Sequence, residues 1–155
     1  MSITFAGLRL WAKGLYPLEA AVEMLVRSFD GRFARPGNPW IQPCDQPGWW
    51  WLDVNQLADD QTGHLSGGEQ RLLRIVASLA GGEPVSLADS IPGLDRELTD
   101  LVLAAIAHAG GTHEHPDIRV DHQRGITVQY GRLPSLHPWP DAGDRPSQTE
   151  DSSAR

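Results

Sequence analysis

A chain of 155 residues, 40 % of them hydrophobic, is long enough for one domain with one modest core. Its formal net charge of −7 at pH 7 argues against general nucleic-acid binding, which needs a basic surface to neutralise phosphates. One cysteine, Cys44, excludes an intramolecular disulfide, and no apolar run reaches the roughly 18–20 residues of a bilayer crossing, so a cytoplasmic location without a membrane partner is expected.

Residues 2–13 suit a helix or a strand, since Ile3, Phe5, Leu8, Leu10 and Trp11 fit either period. This stretch mixes Arg9, Lys13 and two glycines without a continuous apolar block, so no signal peptide is expected. Pro17 opens a predicted helix at the position where its missing N–H costs nothing. Leu18, Ala21, Val22, Leu25 and Phe29 then recur at helical spacing, Glu23 and Arg27 form an i,i+4 pair, and Gly31 is the expected stop. Residues 31–51 read as a Pro/Trp-rich loop, interrupted by Pro36, Pro39, Pro43 and Pro47 and carrying Trp40 and Trp49–Trp50–Trp51. A short helix is expected over about 53–60, with Asp53 as its cap.

Ser66 followed by Glu69 predicts a capping box, and Leu72, Leu73, Ile75, Val76, Leu79 and Ala80 supply a broad apolar face before Gly81-Gly82. Ser86–Ile91 reads as a short helix and Pro92-Gly93 as a turn. A last helix runs from Asp95 to Ala109, with Leu98, Leu101, Val102, Ala105, Ile106 and Ala109 inward and Gly110-Gly111 as the stop. Ile118–Val120 and Ile126–Tyr130 flank a Gly-containing turn and predict a β-hairpin. The expected fold is mainly α: a single helical domain over 1–132 and a disordered acidic tail over 133–155, which offers little apolar surface to bury.

The order of elements over 69–130 resembles a winged helix-turn-helix domain. Ser86–Ile91 and Asp95–Ala109 would be its two helices, the latter for recognition, and Ile118–Tyr130 its wing. That resemblance implies a DNA-binding regulator with Arg96, Arg119, Arg124 and Arg132 as the nucleic-acid contacts. Asp95, Glu97 and Asp100 work against it, because they would meet the phosphate backbone with negative charge.

Leu65-Ser66-Gly67-Gly68-Glu69-Gln70-Arg71 resembles the signature motif of ABC-type ATPases. Val85–Asp89 falls where that family carries its Walker B strand, and Gly93-Leu94-Asp95 near its D-loop. The resemblance implies that Asp89 helps hold magnesium and that Ser66 contacts a nucleotide, as in a degenerate ATPase fragment. The chain has no G-x-x-x-x-G-K-[ST] loop to cradle phosphates, and Ser90 stands where the family's catalytic glutamate belongs. The capping box accounts for the same residues, so no cofactor is expected.

His108, His113, His115 and His122 lie among Glu114, Asp117 and Asp121. An extended His113-Glu114-His115 would put two imidazoles on one side, a partial zinc set. The spacing matches no zinc module, and a solvated loop is expected instead of a metal site. No G-x-S-x-G elbow is present and Cys44 has no neighbouring histidine in sequence, so the chain reads as non-catalytic. Six tryptophans are the strongest remaining signal. Trp40, Trp49, Trp50 and Trp51 are the candidate partner-binding residues, although at least one of 49–51 is expected in the core because adjacent side chains cannot all face one way. Through its Ala-rich segment Glu19–Val26 and the helices at 66–80 and 95–109, the chain loosely resembles small uncharacterised actinobacterial proteins. The functional expectation is a non-catalytic interaction or regulatory protein whose partner is a protein.

Overall fold

The computed structural model describes residues 2–57 and 62–141. The ambiguous first segment is helix α1, Ile3–Ala12. Thr4, Gly7, Leu8 and Ala12 are buried, a stripe at helical spacing, while Ile3 and Leu10 stay outside. Helix α2, Tyr16–Arg27, begins with Pro17 in its first turn and buries Ala20, Ala21, Val22, Met24 and Leu25. It ends before Phe29 because Phe29 and Asp30 take φ of 48° and 55°, left-handed values that no right-handed helix continues. A 3₁₀ segment, Phe29–Ala34, follows.

The Pro/Trp-rich region is more ordered than a loop. Strands β1 (Ile41–Pro43) and β2 (Trp50–Leu52) pair antiparallel, with Ile41 opposite Leu52 and Pro43 opposite Trp50. Strands of three residues are too short to show alternation among so many prolines, which hid them. The short helix expected next is a 3₁₀ turn, Val54–Leu57, where the Asn55 N–H donates to Asp53 Oδ1 at 3.1 Å. Residues 58–60 of that expectation lie outside the described residues.

Helix α3 spans Gly67–Gly81. Its Ser66–Glu69 capping box is complete, and Gly82 closes it at φ 76°, a conformation suited to glycine. A short helix α4, Leu87–Ser90, runs into a 3₁₀ turn at Ile91–Gly93. Helix α5, Arg96–Ala109, starts at Asp95, whose Oδ1 accepts the Leu98 N–H at 2.8 Å. Ile106, expected inward, is 52 % exposed, and Ala104 and Ala107 are covered instead. Strands β3 (Pro116–Asp121) and β4 (Ile126–Arg132) form the C-terminal hairpin, with Ile118 opposite Gln129 and Asp121 opposite Ile126.

The fold is thus mainly α with a C-terminal hairpin. α2 lies at its centre, packed on α1, α3 and α5 around Leu8, Met24, Leu25, Leu72, Leu73, Val76 and Leu101. Among the described residues no helix is long and apolar enough to cross a membrane. Residues 133–141, assigned above to the tail, return along α5. The Leu133 N–H donates to His115 O at 2.8 Å, His137 Nε2 lies 2.6 Å from Asp100 Oδ1, and Trp139 packs against the core. One tryptophan supplied the apolar anchor that the polar composition concealed. The remainder of the expected tail, 142–155, lies outside the described residues.

Candidate functional site

The four candidate tryptophans do not share a surface. Trp40 is 2 % exposed, sits tilted against Phe33, and donates its indole N–H to Phe33 O at 2.8 Å. It is a core residue, so its place among partner contacts is corrected. Trp50 is half-buried and packs against the core, because β2 runs along α1 at Gly7. Trp51 is also half-buried, whereas Trp49 is 41 % exposed at the turn leading into β2. Trp49 is the candidate left with a broad solvent face.

The candidate arginines are exposed, but those of the hairpin are matched by carboxylates. Arg119 lies 3.3 Å from Asp117 Oδ2 and over the Tyr130 ring, Arg124 4.0 Å from Asp121 Oδ2, and Arg132 pairs with Glu114. A phosphate backbone would meet these paired charges and not a free basic stripe. Arg96 is exposed in the first turn of α5, flanked by Asp95 and Glu97.

The ABC-like stretch is assembled differently from what the resemblance implies. Leu87–Ser90, in the place of a Walker B strand, is helical, and Asp89 is exposed. Arg71 reaches across from α3, donates from Nε to the Asp89 carbonyl at 3.3 Å, and lies over Gly93 so closely that a Cβ there would overlap its guanidinium. The motif's residues serve a cap and a helix-to-turn contact.

Thr112–Glu114 is a 3₁₀ turn and not an extended segment, so His113 and His115 part company. His115 is exposed, while His113 stacks on His108 with ring centroids 4.3 Å apart. Among the described residues, no group of three or more His, Cys, Asp or Glu side chains is placed to hold a metal ion.

The sequence reading passed over a cleft that the returning 133–141 segment completes. It has a volume of about 290 Å³ and is lined by residues of α1, α2 and α5 together with Trp139. Glu23 lies at its centre of charge. Arg9 Nε and Nη2 donate to it at 2.5 and 3.1 Å, and Arg27 Nε at 2.7 Å. Burial pushes the Glu23 carboxyl up, but the two guanidiniums outweigh it and hold the group below the ordinary carboxylate range. Its hydrogen bond and charge in turn raise Arg9 against the cost of burial. Glu19 follows the same logic: burial pushes it up, and the Gly14 N–H at 2.8 Å and His108 Nε2 at 2.7 Å bring it down further. An ionised Glu19 only accepts, so His108 Nε2 carries the proton in that contact. Arg27 also donates to Pro140 O at 3.0 Å and lies 5.4 Å from the Trp139 ring centroid, which fixes the returning segment at the mouth. Arg9 and Glu23 are 14 residues apart and His108 is 89 from Glu19, so no local pattern joined them.

Comparison of the chain with protein-family models, with curated proteins and with solved structures finds no match.

Proposed function

We propose that the chain is a non-catalytic interaction module that engages a partner protein by strand addition at β4. The supporting observation is the hairpin's exposure. Ile118, Val120, Ile126 and Tyr130 are each more than half exposed, and among the described residues β3 and β4 pair only with each other. A two-stranded hairpin is marginal on its own, and a third strand would stabilise it. The two edges differ. β3 carries Pro116, Asp117, Arg119 and Asp121, the proline and charges that blunt an edge. β4 has neither proline nor charge from Ile126 to Gly131. An added strand would gain main-chain hydrogen bonds there and pockets between alternate side chains. The paired wing arginines and the net charge of −7 favour protein over nucleic acid as the partner. A cytoplasmic setting suits the single unpaired Cys44.

The test is a native capture from source cells with and without nuclease, repeated with Thr127→Lys/Gln129→Lys, which puts charge on the β4 edge. A protein partner that survives nuclease and is lost with the double variant supports the reading. Retention by the double variant sinks the β4 edge, and loss with nuclease alone promotes nucleic acid.

A further inference from the structure

The cleft beside Trp139 shares no lining residue with the hairpin. Every carboxylate oxygen in the cleft accepts a hydrogen bond, while among the described residues two arginine nitrogens donate none. Glu19 Oε1 takes the Gly14 N–H, Glu19 Oε2 takes His108, and both oxygens of Glu23 take arginine N–H groups. Among the described hydrogen bonds, Arg9 uses Nε and Nη2 and Arg27 uses Nε and Nη1. Arg9 Nη1 and Arg27 Nη2 are left over. Two guanidiniums also share one carboxylate, so this wall carries a local positive excess even though Glu19 balances the cleft as a whole. The rest of the lining is apolar: the Trp139 indole, with the buried Ala12 and Val22. Clefts of about 300 Å³ with apolar walls and a few convergent polar groups suit small organic ligands.

The geometry points to a binding site for a small organic monocarboxylate with an aromatic or aliphatic body, its carboxylate on Arg9 Nη1 and Arg27 Nη2 and its body against Trp139. Planar guanidiniums match a carboxylate's two oxygens, which favours that headgroup over a spherical anion.

The probe is 4-phenylbutyrate, titrated calorimetrically into the full chain, with 4-phenylbutan-1-ol and acetate as the two halves of its chemistry. Saturable one-to-one binding of the carboxylate is expected, at least tenfold tighter than either control. Arg27→Gln, which leaves Arg9 on Glu23, should weaken it at least fivefold, and Trp139→Ala by a similar factor. No saturable binding at millimolar ligand overturns the proposal, as does equal binding of the alcohol or an affinity indifferent to Arg27→Gln. Should Trp139→Ala melt early, amide chemical-shift mapping of the unmodified chain decides. Shifts centred on Arg9, Val22, His108 and Trp139 support the site, and shifts centred elsewhere overturn it.

Discussion

His108 Nε2 lies 2.7 Å from Glu19 Oε2, a contact that ties α5 to α2 across 89 residues of sequence. It stands next to the Arg9–Glu23–Arg27 cluster, and the two carboxylates share a direction of shift: both are lower in the folded protein than when free. A lowered carboxyl stabilises the fold at pH above its unfolded value, about 4.3 for glutamate, and the contribution is lost as pH falls through the folded value. The thermal midpoint should therefore drop on acidification below that unfolded value. Glu23→Gln should lower stability at neutral pH by about 2 kcal/mol, since it leaves two guanidiniums sharing one neutral amide oxygen in place of a carboxylate, and should flatten the acid limb. Calorimetric melts of both proteins from neutral pH downward check this, and parallel acid limbs would refute it.

The capping box gives a local prediction. Ser66 Oγ accepts the Glu69 N–H at 3.4 Å, Glu69 Oε2 accepts the Ser66 N–H at 2.9 Å, and Glu69 also pairs with Arg32. Ser66→Ala should cost about 1 kcal/mol in denaturant unfolding. Glu69→Gln should cost less, because glutamine can still close the box and only the exposed arginine pairing is lost. A larger loss for Glu69→Gln would show that Arg32 dominates.

These residues also mark how far the sequence could be read. The capping box and the glycine stop at 82 depend on neighbours within four positions, and the structure has them where their spacing puts them. The hairpin was legible through alternation around a turn. The two three-residue strands were not, nor was the left-handed Phe29–Asp30 turn, whose residues carry no glycine signal. The cleft was invisible for another reason. Its residues come from positions 9 to 139, and Trp139 sits in a stretch whose average composition reads as disorder. Composition averages away a single anchoring side chain.

Trp40 and Trp49 should separate cleanly under substitution. Trp40→Ala empties a core position and orphans the Phe33 carbonyl, and should cost about 3–5 kcal/mol. Trp49→Ala touches a side chain that is 41 % exposed and should stay within about 1 kcal/mol. Urea unfolding followed by circular dichroism distinguishes them. Similar losses would mean that Trp49 packs more tightly than its exposure indicates.

Gly7 tests the contact between α1 and β2. A Cβ at Gly7 would overlap the Gly48 carbonyl oxygen and come within 3.0 Å of Trp50 Cδ1. Alanine is the better helix former by about 1 kcal/mol, yet it would push the helix off backbone that cannot yield as a side-chain tip can. Overpacking of this kind costs about 1–3 kcal/mol, so Gly7→Ala should destabilise despite the gain in propensity. Gly67→Ala is the matched control at the start of α3. The nearest atom to its Cβ would be Arg71 Nη1 at 2.8 Å, the end of a flexible side chain that can swing aside. Thermal melts should show Gly7→Ala well below the unmodified protein and Gly67→Ala at or near it. If the two variants melt together, α1 does not lie on β2 as closely as Gly7 allows.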